Sequence, residues 1–286
     1  MTPFICGHNI HRYDRDFHDE YLDLHRRDAM AMERLTFSPF VLDIYSYCGQ
    51  SAVNEIAYDS VEKVAMKLRS NKSPEASMYK LKIATQVAMG IADIHECNGA
   101  DDRHPNETSM VHYDINPRNV AVTNTGSVKI NDFNVAEFIK WNTVTQQPCK
   151  FEGRFYEPWW RAPEEVIAPP EGMDPHVLNE KVDVYSLCNV LFRIMTGRAP
   201  RGKSIPKRME MIRTEVAQGL PPEMPEEFLR TDDQALIFIR RAMVHCYQAN
   251  PNDRWSARDI ADELFENLQH LTLTSKGNQA EKALGE

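Results

Sequence analysis

Two short apolar runs, 119–122 and 128–130, are joined by the turn Thr123-Asn124-Thr125-Gly126, and each has an acidic segment on its outer side. HYDINPRN (112–119) precedes the first run and NDFN (131–134) follows the second. A hairpin returns its two ends to the same side. Asp114, Asn119 and Asp132 are therefore expected to converge. Two carboxylates and an amide supply hard oxygen ligands suited to Mg²⁺, which keeps part of its shell for phosphate and water. An aspartate left uncoordinated can accept a proton from an attacking hydroxyl. Singly, Asp114 and Asp132 read as ordinary turn residues. In this order around a hairpin they read as a site.

The rest of the chain is consistent with a folded host for that site. Its 286 residues are enough for one large domain or two small ones. With 42% hydrophobic and 26% charged residues, it is neither a disordered chain nor a fibre. A net charge of −9 argues against nucleic acid as a partner held by phosphate attraction. No apolar run approaches the ~18 residues of a membrane helix, and the amino terminus is polar. The expectation is a cytoplasmic protein without a membrane span. The six cysteines are scattered singly, which predicts free thiols.

Residues 19–35 predict a helix that breaks at Ser38-Pro39, followed by strands over 41–48 and 51–57 around Gly49-Gln50. Ser73-Pro74-Glu75 opens a helix whose Leu81, Ala84, Val87, Ala88, Ile91 and Ile94 share one face. Residues 99–109 form a polar loop, and 141–180 a long, irregular, aromatic one. The run 182–195 predicts a buried helix stopped at Gly197. Helices over 232–247 and 259–270 follow, and a frayed polar tail is expected from 272.

A third segment, Arg161-Ala162-Pro163-Glu164-Glu165, completes the ordered set. Together the three resemble the protein kinase family. HYDINPRN is similar to its catalytic loop, Asp132-Phe133-Asn134 to its Asp-Phe-Gly, and Ala162-Pro163-Glu164 to its Ala-Pro-Glu. DVYSLCNVLFRIMTG (183–197) resembles the buried helix under the catalytic loop, and NPNDRWS (250–256) the late motif carrying Arg254. The resemblance implies an α+β, bilobal kinase-like fold: a truncated small lobe of a helix plus two strands over 1–57, a mostly helical catalytic lobe over 58–271, and a tail over 272–286. It implies ATP and Mg²⁺ as cofactors and a protein substrate. Asp114 would be the catalytic base, with Arg118 supplying a cation beside it, and Asn119 and Asp132 would hold the metal. Glu55, Ile56 and Ala57 would form the hinge that meets the adenine. Asp183 would hold the backbone of His112 and Tyr113, and Glu164 would pair with Arg254.

The departures are as informative. Residues 1–62 contain no lysine, so the strand lysine that holds nucleotide phosphates is missing, and no glycine-rich loop is present. The amino-terminal strands are expected to be absent, leaving the hairpin with an unpaired edge. The acid that would pair that lysine is Asp28 or Glu33. Tyr113 replaces the arginine that reads activation-loop phosphate, Asn116 a lysine, and Asn134 a glycine. Three readings compete: an active protein kinase, a pseudokinase acting as a binding or scaffolding module, and a small-molecule phosphotransferase of kinase-like fold.

Overall fold

The computed structural model describes residues 5–7, 19–49, 51–97, 107–142, 144, 147–153, 157–167 and 177–284. Strand β1 (Ile5–Gly7) precedes helix α1 (Asp19–Arg34), which buries Ala29, Ala31 and Met32. Strands β2 (Ile44–Cys48) and β3 (Ser51–Asn54) form the expected hairpin. Gly49 turns it at a φ of 59°, which glycine adopts without steric cost.

The sheet has a third strand, and here the sequence expectation is corrected. Its order is β1-β3-β2, with Cys6 opposite Val53, so the edge of β3 expected to be open is paired. Among the described residues the amino-terminal part is a helix plus three strands, not two. A three-residue strand has no periodicity of its own, and only its pairing partner defines it.

Strand β4 (Asp59–Ser60) leads into α2 (Val61–Lys67) and α3 (Pro74–His95). The Ser73 hydroxyl accepts the Ala76 N–H at 3.2 Å, capping α3 as its sequence predicts. All six residues of the predicted apolar face are buried. Strands β5 (Met110–Val111), β6 (Val120–Val122), β7 (Val128–Ile130) and β8 (Glu137–Phe138) follow. The predicted hairpin is β6–β7, in register Val120 to Ile130, and β4 extends it. A Cβ on Gly90 of α3 would lie 2.8 Å from Ile130 Cδ1 and 3.0 Å from the Phe40 carbonyl, so a larger residue at this close approach of helix to strand would force its neighbours to shift.

The segment expected to be irregular carries short pieces: β9 (Trp141–Asn142), β10 (Gln147–Pro148), β11 (Phe151–Glu152), α4 (Pro163–Val166) and β12 (Val177–Leu178). The polar loop over 99–109 lies largely outside the described residues. Helix α5 (Lys181–Thr196) is buried almost throughout and ends at Gly197, φ 67°. Helices α6 (Met209–Ala217), α7 (Glu226–Leu229), α8 (Gln234–Cys246) and α9 (Ala257–Leu284) complete the chain, and α3 packs against α5, α8 and α9.

The last helix is the second correction. It continues to Leu284 rather than stopping at 270, so the frayed tail expected from 272 is helical. Polar composition suggested a free end, but Gln, Ala, Glu, Lys and Leu are strong helix formers. Cys48, Cys97, Cys149, Cys188 and Cys246 are free thiols, as expected. Among the described residues, no helix is long and apolar enough to cross a membrane.

Candidate active site

The β6–β7 register builds the site. The Asn131 N–H donates to the Asn119 carbonyl at 3.0 Å, so the hairpin's two outer ends meet as expected, with Asp132 next in chain. Below them, Asp183 in the first turn of α5 accepts the N–H of His112 (2.7 Å) and of Tyr113 (2.8 Å) and faces His95 Nε2 at 3.1 Å. These contacts hold Tyr113 at φ 65° and turn the chain to present Asp114. His112 sits 3.2 Å from the Asp114 N–H through Nδ1 and 3.1 Å from the Asn131 carbonyl through Nε2. A carbonyl only accepts, so Nε2 carries the proton and Nδ1 accepts. His112 thereby ties the loop to the strand after it, and its ring lies 4.7 Å from Phe133.

Both oxygens of Asp114 are held. Asn116 Nδ2 and Asn119 Nδ2 donate to Oδ2 at 3.3 and 3.0 Å, and Arg161 Nη2 donates to Oδ1 at 2.8 Å. The sequence reading placed Arg118 there. Its side chain is exposed and makes no ion pair among the described residues, and the cation at Asp114 is Arg161. The signal for Arg161 was in plain view in RAPEE, but nothing local says that it reaches back to the loop. Asn116, read only as a replaced lysine, is a ligand of Asp114.

The donor set suits a divalent cation. Asn119 spends its Nδ2 on Asp114, at the carbonyl as well as the carboxylate, which leaves its amide oxygen for a metal. Asp132, at φ 67°, presents its side chain half-buried at the next turn. Among the described residues no group of three or more His, Cys, Asp or Glu could hold a metal ion. Two oxygen ligands completed by phosphate and water match Mg²⁺ better than a transition metal.

The two acids on the facing helix are placed differently. Glu33 is exposed, whereas Asp28 accepts the Phe133 N–H at 2.6 Å. Burial first, and Asp132 nearby, push the Asp28 carboxyl above its usual range, while the Phe133 N–H draws it down. Residues 55–57 link β3 to β4 without regular structure. Lys129 Nζ grips Glu55 at 2.6 Å and Asp43 at 3.1 Å, fixing this segment to β7.

At the far end of the irregular segment, Arg254 and Glu164 pair as expected, at 2.6 and 2.7 Å. The neighbouring Glu165 is buried, accepts the Ala162 N–H at 2.6 Å and lies 3.5 Å from Arg161. Burial outweighs Arg161 and raises its carboxyl to about 8 from an ordinary 4.5. Between those values the folded chain holds a proton that the unfolded chain has lost. Its contribution to stability is full below pH 4.5 and is lost as pH rises through 8. We expect unfolding free energy to fall more steeply between pH 5 and 8 in the parent than in Glu165→Gln, by at most ~1.4 kcal/mol per pH unit. Urea titrations of both proteins across that range check this, and parallel curves would refute it.

The sequence matches the protein kinase domain family over residues 12–265. It is 24% identical over 256 residues to a probable serine/threonine-protein kinase of Clostridium acetobutylicum, covering 89% of this chain and 34% of that protein. It is 26% identical over 193 residues to serine/threonine-protein kinase PrkC of Bacillus subtilis, covering 67% of this chain and 26% of that protein. Sporulation-specific protein 1 of Saccharomyces cerevisiae is 28% identical over 232 residues, which are 81% of this chain and 38% of its own length. The chain thus spans about a third of the length of these relatives. Its α+β architecture, its catalytic-loop geometry and the match across most of its length place this chain in the protein kinase family.

Proposed function

We propose that this chain is an ATP-dependent protein kinase domain with Asp114 as the general base. The acceptor is a protein hydroxyl. Its oxygen bonds to the terminal phosphorus of ATP as the bond to the bridging oxygen breaks, and ADP leaves with that electron pair. The acceptor proton passes to Asp114. The observation that supports this reading is the hydrogen-bonded frame joining Asp114, Asn119 and Asn131, which brings Asp114 and Asn119 together beside the residue that precedes Asp132. Asn119 and Asp132 would hold Mg²⁺, which would supply positive charge to the phosphate oxygens. The Glu55 N–H is spent on the Asp43 carbonyl at 2.8 Å, so Ile56 and Ala57 carry the N–H groups left for an adenine ring. Arg118, exposed at the end of the 112–119 loop, is available to a phosphate or an acceptor.

The scaffolding reading has an observation of its own. The acid on α1 meets a backbone N–H, and no lysine exists in residues 1–62 to contact phosphates. We therefore expect Mg-ATP binding to be weak and metal-dependent. Calorimetric titration of ATP with and without Mg²⁺ tests both readings. Asp132→Asn is expected to weaken Mg-ATP binding at least tenfold while leaving metal-free binding unchanged. Equal binding by parent and variant would remove Asp132 from the metal site. A parent that binds no Mg-ATP would make the scaffolding reading the better one.

A further inference from the structure

Arg161 ties the loop at 113–114, 47 positions away, to the first turn of α4. Its side chain is 9% exposed. Beside the bond to Asp114 Oδ1, its Nη1 donates to the Tyr113 carbonyl at 2.6 Å and lies 3.5 Å from Glu165 Oε1 in the first turn of α4. Its guanidinium carbon stands 5.5 Å from the Tyr113 ring. On the opposite side Asp114 Oδ2 takes Asn116 and Asn119. An ionised carboxylate offers roughly four acceptor positions. Three are filled from within the chain, and Asp114 keeps 34% exposure, which leaves a position toward solvent where a hydroxyl can approach.

We propose that Arg161 is a positioning residue for the base Asp114, fixing its carboxylate from the carboxy-terminal end of the segment 141–166 in place of a cation within the catalytic loop. The proposal rests on the kinase reading. It makes the orientation of the base depend on how that segment is seated, not on a phosphate read beside the loop.

The surroundings support this. Tyr113 occupies the position next to the base, and its ring is buried with Val111, Ala162, Leu178, Val182 and Tyr185, edge-on to Phe151 at 5.0 Å. A buried phenol ring in that place offers no charge to a phosphate. Burial raises the Glu165 carboxyl to about 8, which weakens it as a counter-charge to Arg161 near neutral pH and leaves Asp114 as a charged partner. A partly buried pair of this kind is screened less by salt than an exposed one. The plain alternative is that Arg161 only braces α4, in which case its loss would affect stability and leave the turnover of folded molecules unchanged.

The experiment uses the full chain with Mg-ATP and myelin basic protein as acceptor. Arg161→Gln is expected to lower kcat by roughly 30- to 100-fold, the scale of a misplaced catalytic group, with KM for ATP within about twofold of the parent. Arg161→Lys retains the charge but not the fork, and should recover part of that loss. Millimolar guanidinium should raise kcat of Arg161→Gly. A kcat for Arg161→Gln within threefold of the parent, or a loss that neither lysine nor guanidinium relieves, would overturn the proposal. A second arm is independent of turnover. In a double-mutant cycle of Arg161→Lys with Asp114→Asn, read by urea unfolding, the two changes should be non-additive by at least tenfold in the folding constant. Additive effects would show that Arg161 does not hold Asp114. A parent that transfers no phosphate overturns the kinase reading instead, and the cycle then decides the contact alone.

Discussion

Asp114→Asn should reduce phosphoryl transfer by about 10²- to 10⁴-fold, the usual contribution of a general base, while Mg-ATP binding stays within a few fold of the parent. The two quantities separate because the proposed base, Asp114, would act on the acceptor hydroxyl, whereas the proposed metal contacts belong to Asn119 and Asp132. An amide at 114 can still accept from Arg161 through its oxygen. Its NH₂ then faces the donors of Asn116 and Asn119, so some loss of stability accompanies the change. Leaving donors unpaired there costs about 1–3 kcal/mol. Single-turnover assays at saturating Mg-ATP, beside calorimetry on the same protein, give the comparison. A variant that keeps a tenth or more of the parent rate would exclude Asp114 as the base.

The largest stability effect is expected at Arg254. Its side chain is fully buried and all five of its N–H groups are used: two on the Glu164 carboxylate and one each on the carbonyls of Gln248, Lys181 and Ala249. Its guanidinium carbon also lies 5.1 Å from the Tyr185 ring. Removing it leaves a carboxylate without its counter-charge and three carbonyls without donors. Breaking a buried pair from one side costs about 3–5 kcal/mol. Arg254→Ala should therefore lower Tm by roughly 10 °C in a protein of this size. Arg254→Lys should recover little, because an ammonium has three donors and cannot reproduce the fork. Differential scanning calorimetry reads both variants. A lysine variant melting within about 2 °C of the parent would show that charge alone suffices there.

Why some of these residues could be read in advance, and others not, follows from how they are placed. Glu164 and Arg254 each stand in a motif whose residues are fixed relative to one another, so their pairing followed from the resemblance although 90 positions separate them. Ser73, Gly197 and the turn at 123–126 were legible for a more elementary reason. Each satisfies or frees backbone groups within a few residues of itself, and short-range geometry is what residue type controls directly. The apolar face of α3 belongs to the same class, since its spacing matches the turn of a helix.

The hairpin with its acidic flanks, the capped helices, the buried α5 and the family were all legible from residue order. The tertiary structure alone decided that Arg161 rather than Arg118 meets Asp114, that Asp28 rather than Glu33 faces Phe133, that β1 closes the edge of β3, and that Tyr113 is buried. Arg161 and Asp114 are 47 positions apart, and Asp28 and Phe133 are 105 apart. Arginines at 118 and 161 have the same chemistry, and so nearly do the acids at 28 and 33. What separates them is which side of a packed element each one leaves from, and that is fixed only when the elements dock and burial forces each charge either onto a partner or out to water.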